Sequence, residues 1–583
     1  MKFCAALVAC TLTLIVAAAG PVSSASAHAQ LTSVTPQRGA VLQAAPKIVS
    51  FQFSEAVTGT PSAVRVYGPR GARVDQGGAF HPDRKSNTYA VALEGGLADG
   101  TYTATYQVVS ADGHVISAGS TFSIGAPSSG TAAVSDLLAG QKAGPITRGA
   151  LTLARGVQFA AIALGVGVLI FLLLLWPRAR ARARDDDQHG PQWVAADERF
   201  RQRSRRLILF SAAAGALSAA LAIGLNAANL SGESFFSVLG GEALSTTLDS
   251  RFGTVWSAAV IIWLALAVGA AVLIRPTAQT GGRAKLLLLI VAAMLLLVPG
   301  LGGHAGAVSP EWLLVPANVL HVLAASTWAG GIAALLLAVR PASAQVPAAP
   351  RTRLLVEVVD DFSAIALVAV VALVASGVIQ AIFLLGQLSD LFSSNYGLLV
   401  LAKSALLLAL VAAGAAHRRR TLPRLRAAAA AGKSPGESGR QLRNLLAAEA
   451  ALLLAVFAAT ALLSGSAPPL GEPAGPTNLT GSIGPAQFEA TVDPASVGAN
   501  TIHLYLLNPR SGAQWDNADE VEISERQSEV GIGPLTQVAT KAGPGHYIAR
   551  AVQFGAPGEW TIQFTVRVGE FDQYTATATV AVP

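Results

Sequence analysis

The sequence predicts a polytopic α-helical membrane protein with eight transmembrane helices, flanked by two extracytoplasmic β-sandwich domains. The 583 residues are 52% hydrophobic and 13% charged, with a mean hydropathy of +0.50, whereas soluble domains carry about 25% charged residues. Eight apolar runs are each long enough to cross the roughly 30 Å apolar core of a bilayer. Segments in which apolar and polar residues alternate lie before and after these runs, as expected of half-buried strands.

The first 27 residues have the pattern of a secretory signal peptide. One positive charge precedes an apolar run, and Ala25-Ser26-Ala27 offers a cleavage site. We therefore expect the mature chain to begin at His28. Two alternatives stay open, a retained first transmembrane helix and a lipoprotein signal that ends at Cys10. Cleavage after Ala27 removes both cysteines, which excludes a disulfide framework and a Cys-ligated metal site.

Residues 28–125 are predicted to form the first β-sandwich, the head domain, because short alternating segments are separated by Gly, Pro and Asp. Residues 126–147 are rich in Ser, Gly and Ala and are predicted to be a linker. The predicted strands are Lys47–Phe53, Ala63–Tyr67, Tyr89–Leu93, Thr101–Val109 and Ser120–Ile124.

Residues 148–466 are predicted to form the membrane domain. Arg and Lys concentrate in the loop after the first apolar run and in every second loop thereafter, while the intervening loops are acidic or neutral. By the positive-inside rule the basic loops are cytoplasmic, so an even number of spans places both flanking domains outside. The predicted spans are Thr152–Trp176, Leu207–Ala228, Thr254–Ile274, Lys285–Gly303, Trp312–Val339, Ser363–Leu385, Gly397–Ala416 and Leu445–Leu463.

Residues 467–476 form a Pro-rich break, and residues 477–583 are predicted to be the second β-sandwich, the tail domain. No basic patch of the kind that binds nucleic acid occurs in the head or the tail. The predicted strands of the tail are Gln487–Val492, Thr501–Leu507, Tyr547–Phe554, Trp560–Val568 and Tyr574–Val582.

A candidate metal site combines the expected N-terminus with the segment Ser110-Ala111-Asp112-Gly113-His114. In an extended chain, residues two apart point to the same face, so Asp112 and His114 can converge on one ion. An N-terminal His28 adds its α-amine and its ring Nδ1. This set of nitrogen and oxygen ligands suits tetragonal Cu(II), whereas zinc prefers tetrahedral sites and often Cys.

Two other interpretations of these residues stay open. Asp112 and His114 could be a surface pair beside a frayed N-terminus. An N-terminal histidine also binds copper in oxidases that attack polysaccharides, but a carboxylate ligand hinders redox cycling and the head is small, so no enzyme is expected. His81, His503 and His546 have no partner at a ligand spacing and are expected to be solvated.

The head resembles the periplasmic copper-binding protein family CopC over its whole length. The resemblance implies Cu(II) ligands at His28, Asp112 and His114, with Glu55 as a possible group behind them. The methionine-rich Cu(I) site of some members should be absent, since the mature head has no methionine. The matching residues are His28-Ala29-Gln30-Leu31, Ser33, Pro36, Ala45-Pro46, Phe53-Ser54-Glu55, Ser110-Ala111-Asp112-Gly113-His114, Gly119 and Phe122.

The membrane domain resembles the copper-transport family CopD over about residues 155–468, so the chain resembles a natural CopC–CopD fusion. Polar groups inside a bilayer are costly and need a reason, and His304, His321 and Glu449 are candidate relay ligands for copper. The tail resembles a YtkA-like domain. The residues that match CopD are Gly253-Thr254, Trp256, Gly303-His304-Ala305, His321, Trp328-Ala329-Gly330-Gly331, Phe362-Ser363, Tyr396-Gly397, Lys403 and Glu449.

Structural interpretations of the polar membrane residues also stay open. His321 could hydrogen-bond a neighbouring helix and His304 could be interfacial, or the two could ligate haem. Lys403 and Glu449 are expected to pair across helices or to extend towards the membrane surface. His417 is expected to be a cytoplasmic loop residue beside a run of arginines.

The sequence thus predicts a copper homeostasis protein of the bacterial cytoplasmic membrane that captures Cu(II) outside and passes it to or across the membrane, with import favoured. The alternative is a copper-sequestering, resistance or sensory protein that does not transport, and a remote one is a haem or copper redox enzyme. No phosphate-binding loop or phosphorylation motif of an ATP-driven pump is present. The expected partners are the copper ion, the lipid bilayer and a periplasmic copper chaperone.

Overall fold

The computed structural model describes residues 29–125 except 30 and 38, residue 137, 143–184, 190–385 except 276, 278 and 279, 388–466, residue 468, and 477–582 except 510–512. The expected signal peptide, His28 and most of both predicted linkers lie outside these residues. The chain divides into two compact units, one containing the long apolar helices and the other containing both β domains.

Eight helices of the described residues are long and apolar enough to cross a membrane, which confirms the eight predicted spans. Several continue beyond their apolar run because charged side chains support extra turns at the end where the arginines lie. Arg182, for example, forms ion pairs with Glu357 at 2.6 Å and Asp361 at 2.5 Å. The helices are α1 (Pro145–Ala183), α2 (Gly190–Ser231), α3 (Arg251–Leu273), α4 (Gly282–Leu301), α5 (Glu311–Ser343), α6 (Ala348–Leu384), α7 (Asn395–Ala430) and α8 (Gly436–Ser464).

Helix α1 lies at the centre of the membrane unit and packs against α4, α5 and α8. Its contact with α5 is close because glycines face each other. A Cβ atom at Gly330 would lie 2.5 Å from the Cα atom of Gly167. Small residues that let two helix backbones approach in this way are common between transmembrane helices, where van der Waals packing drives association.

The head is a sandwich of a three-stranded sheet, in the order β1-β3-β5, and a four-stranded sheet, in the order β2-β7-β6-β4. Its core includes Phe51, Phe53 and Tyr106, whose rings pack together at centroid distances of 4.9 and 5.1 Å. The predicted strands are present, and β1 and β2 are additional. The strands are β1 (Leu31–Thr35), β2 (Ala40–Leu42), β3 (Ile48–Phe53), β4 (Val64–Tyr67), β5 (Thr88–Ala92), β6 (Gly100–Val109) and β7 (Val115–Ile124).

The tail pairs a five-stranded sheet, in the order β13-β14-β10-β9-β8, with a four-stranded sheet, in the order β12-β11-β15-β16. Trp560 and Phe564 are fully buried in its core. The strands are β8 (Thr477–Ile483), β9 (Ala486–Asp493), β10 (Gly498–Leu507), β11 (Glu520–Gln527), β12 (Ile532–Val538), β13 (Thr540–Gly543), β14 (His546–Phe554), β15 (Gly558–Val568) and β16 (Asp572–Val582).

The head and the tail contact each other within one unit. Tyr505 of β10 and Thr101 of β6 share a hydrogen bond between their hydroxyl groups at 3.1 Å. The backbone N–H of Thr121 donates to Asp493 Oδ2 at 3.3 Å. The contact at Thr101 covers one end of β6, which is buried along its whole length, although one face of an antiparallel sheet is often solvated.

The prediction that His503 and His546 are solvated is wrong. Their exposed fractions are 2% and 0%, and His503 Nδ1 lies 3.0 Å from His546 Nε2. The two residues belong to neighbouring strands, β10 and β14, whose pairing brings positions 43 apart in sequence side by side. His81 is partly exposed and its Nδ1 hydrogen-bonds the carbonyl of Thr88 at 2.8 Å.

Candidate metal centre

The segment 110–114 is the loop that joins β6 to β7. The backbone N–H of Ser110 donates to the carbonyl of His114, and that of Gly113 donates to the carbonyl of Ser110, both at 2.9 Å. Gly113 has φ +83°, a backbone conformation that glycine adopts without strain. The prediction of an extended chain here is wrong, because this tight turn, and not a strand, brings the side chains at 112 and 114 together.

The Asp112 carboxylate and the His114 imidazole approach each other through one atom of each group. His114 Nδ1 lies 3.1 Å from Asp112 Oδ2, the Asp112 side chain is fully buried, and the His114 side chain is 15% exposed. The other carboxylate oxygen, Oδ1, accepts hydrogen bonds from the Ser110 hydroxyl and, at 3.1 Å, from the backbone N–H of His114. Two ligand atoms at right angles around an ion, each about 2 Å from it, are about 2.8 Å apart, so the pair has the spacing of neighbouring ligands.

Glu55 follows β3 and supports the same loop from outside. Its Oε1 accepts a hydrogen bond from the backbone N–H of Ala111 at 3.2 Å. This contact holds the backbone of the loop next to Asp112. His28, the third expected ligand, lies outside the described residues.

His304 and His321 belong to the membrane unit. His304 begins a short 3₁₀ turn, His304–Gly306, that follows α4. Its ring lies at 71° to the Tyr396 ring, with a centroid distance of 6.2 Å. His321 lies within α5, and its Nδ1 is 3.1 Å from the hydroxyl of Ser376 on α6. The hydrogen bond to a neighbouring helix that was one interpretation of His321 is therefore present.

Glu449 of α8 faces His417, which the sequence analysis placed in a cytoplasmic loop. His417 Nε2 lies 3.5 Å from Glu449 Oε1, and the side chains are 10% and 3% exposed. The prediction that His417 is a loop residue is wrong, because α7 continues through a π-helical turn, His417–Thr421, that packs against α8. Among the described residues, the titratable side chain that faces Glu449 is thus His417 and not Lys403.

Three family models match the chain in sequence order. The CopC domain matches residues 31–125, the Copper resistance protein D-like N-terminal domain matches residues 146–309, and Copper resistance protein D matches residues 356–463. The chain belongs to the CopC–CopD family of copper transport and resistance proteins. This membership and the eight apolar helices make it a multi-pass inner-membrane protein with flanking domains.

Relatives of this CopC–CopD fusion match it over different parts. The copper transport protein CutJ of Bacillus subtilis (strain 168) is 26% identical over 562 residues, which are 94% of each chain. Protein YobA of Escherichia coli (strain K12) is 35% identical over 98 residues, 17% of this chain and 79% of YobA. Copper resistance protein D of Pseudomonas syringae pv. tomato is 28% identical over 267 residues, 45% of this chain and 84% of that protein.

Proposed function

We propose that the head of this CopC–CopD fusion captures Cu(II) outside the cytoplasmic membrane with His28, Asp112 and His114, and that the membrane domain carries the copper inward. The observation that carries this proposal is the 3.1 Å approach of His114 Nδ1 to Asp112 Oδ2 in a loop fixed by hydrogen bonds. Imidazole, carboxylate and amine ligands together suit Cu(II) in a tetragonal arrangement. The proposed site has a binding role and no catalytic one.

The order of the polar membrane residues along the helices supports a copper path that crosses the membrane. His304 follows α4 on the side where the loops carry few positive charges, His321 lies within α5, and Glu449 lies near the arginine-rich turn of α7. A charged side chain at the centre of a bilayer costs roughly 2.5–3.5 kcal/mol, and a role as a copper ligand would explain a carboxyl group at Glu449. Tethering the head to the helices also raises the local copper concentration.

The test is copper accumulation in cells grown under copper limitation. Loss of the gene should lower intracellular copper, the wild-type gene should restore it, and a gene carrying Asp112→Asn should not. Unchanged accumulation with altered copper tolerance would overturn import and would support a sequestering, resistance or sensory protein. The mature chain must also begin at His28, since any other N-terminus removes the chelating amine.

A further inference from the structure

His417 and Glu449 are buried in the membrane unit without adequate partners. Taken over the whole residue, their exposed fractions are 8% and 2%. Within the described part of the chain, neither ring nitrogen of His417 has a hydrogen-bond partner, and neither does Glu449 Oε1. Buried polar groups are normally hydrogen-bonded, and leaving an ionisable one unsatisfied is costly. A metal ion that bonds to both groups would satisfy them together.

The separation of the two side chains suits a metal ion. The 3.5 Å between His417 Nε2 and Glu449 Oε1 exceeds the 2.7–3.2 Å range of an ordinary N–H···O hydrogen bond. An ion about 2 Å from each atom, the usual length of such bonds, would see them at an angle of about 120°. The ion would replace the missing contacts of both groups without moving either side chain.

The backbone of α7 departs from α-helical geometry at His417. A π-helical turn covers His417–Thr421, between the α-helical stretches Asn395–Ala416 and Leu422–Ala430. Single π-turns within α-helices occur frequently at functional sites, because the extra residue changes the direction of a side chain. This turn packs against α8, which carries Glu449.

We propose that His417 and Glu449 form a second metal site, at the cytoplasmic end of α7 and α8, which Cu(II) occupies as it leaves the membrane domain. An imidazole and a carboxylate together suit a divalent transition ion better than Cu(I), which selects sulfur ligands. Arg418, Arg419 and Arg420 follow directly and are exposed, so they mark the cytoplasmic boundary. The identity of the ion rests on the proposed function, whereas the site itself rests on the two side chains.

The test is the number of Cu(II) ions bound by the purified full-length chain, measured by equilibrium dialysis and electron paramagnetic resonance. His417→Gln and Glu449→Gln should each bind one ion fewer than wild type and keep the signal of the head site. The matched controls are His81→Gln and Glu437→Gln, which replace partly exposed or exposed residues of the same types and should bind the wild-type number. An unchanged number in both site variants would overturn the second site.

A further variant tests the second site separately from the proposed function. It can be used even if His417→Gln and Glu449→Gln do not fold. Asp112→Asn, which changes only the head, should weaken the head site and retain the Cu(II) that has a nitrogen ligand from His417. Loss of all bound copper in Asp112→Asn would contradict the second site and leave capture by the head intact. Retention of the second ion together with unimpaired cellular uptake would contradict the proposed function alone.

Discussion

Asp112 presents Oδ2 to His114 while the hydrogen bonds at Oδ1 hold the carboxylate in place. In the proposed Cu(II) site, this division of its two oxygens would orient the carboxylate before copper arrives, so the orientation would not have to be created on binding. Glu55 adds to it by fixing Ala111. At the residue scale, the site is a short loop whose backbone and side chains all restrict the same carboxylate.

The first prediction concerns the pH dependence of capture. Copper must displace the proton of the α-amine of His28, whose reference pKa is about 7.7–8.0, and must find neutral imidazoles. Cu(II) affinity of the full chain should therefore fall steeply between pH 8 and pH 5, as measured by competition with a chelator of known pH dependence. A flat profile over this range would exclude the amine as a ligand.

The second prediction concerns the two buried histidines of the tail. Burial lowers the pKa of His503 to about 4, with a further contribution from Arg550, and lowers that of His546 to about 3. In the unfolded chain these histidines take up protons near pH 6.5, whereas in the folded tail they stay neutral until about pH 4. The free energy of unfolding should therefore decrease as the pH falls from about 6.5 towards 4. The loss is at most about 1.4 kcal/mol per pH unit for each histidine.

The measurement is the thermal unfolding midpoint of the β domains, followed by circular dichroism of the full chain between pH 7 and pH 5. The double variant His503→Gln/His546→Gln should lose less stability over this range than wild type. Burial raises the pKa of the Glu525 carboxyl to about 7. This group therefore adds stability as the pH falls, in wild type and in the double variant alike. Equal pH slopes for the two proteins would show that the histidines are not responsible.

At the scale of elements, the close contact of α1 with α5 depends on glycine, which gives the third prediction. A side chain at Gly330 would meet the backbone of Gly167, and overpacking of this kind costs about 1–3 kcal/mol or more. Gly330→Leu should therefore reduce the yield of monodisperse protein on size-exclusion chromatography in detergent. The control is Gly414→Leu on α7, where an added Cβ would have no described atom within 4 Å apart from its chain neighbours and the backbone of its own helix, and it should behave as wild type.

The helices and strands that could be predicted from the sequence are those with a long apolar run or a regular alternation of apolar and polar residues. The eight spans and the longer strands carry uninterrupted apolar or alternating patterns. Strand β2 has only three residues and was missed. Strand β11 was missed because two of its four buried positions, Glu525 and Gln527, are polar, which hides the alternation set by Val521 and Ile523.

The site could be predicted only in part for a related reason. Asp112 and His114 are neighbours in sequence, so a local pattern showed them. His503 with His546, and His417 with Glu449, are 43 and 32 positions apart, and only strand pairing and helix packing bring them together. His417 also follows the apolar run that defines its span, so hydropathy alone placed it in the loop.

At the scale of the whole molecule, the distribution of arginine predicts the orientation in the membrane, which gives the fourth prediction. The expected mature chain has no cysteine, so single cysteines can be introduced as probes. Thr577→Cys on β16 should react with a membrane-impermeant maleimide in intact spheroplasts. Ser434→Cys, in the basic loop before α8, should react only after lysis.

Wild type is the control for this experiment and should not react before or after lysis, because Cys4 and Cys10 are expected to leave with the signal peptide. Labelling of Ser434→Cys in intact spheroplasts would show that the orientation is the reverse of the predicted one. Labelling of wild type would show that the first segment is retained.

The most direct test of Cu(II) capture is the affinity of the mature full-length chain for Cu(II), compared between wild type and Asp112→Asn, with the exposed Asp83→Asn as control. Asparagine keeps the size of the side chain and removes the charge and the ligand oxygen that faces His114. The affinity of the tightest site should fall at least about tenfold, equivalent to about 1.4 kcal/mol, and Asp83→Asn should match wild type. An unchanged affinity in Asp112→Asn would contradict capture of copper by this site.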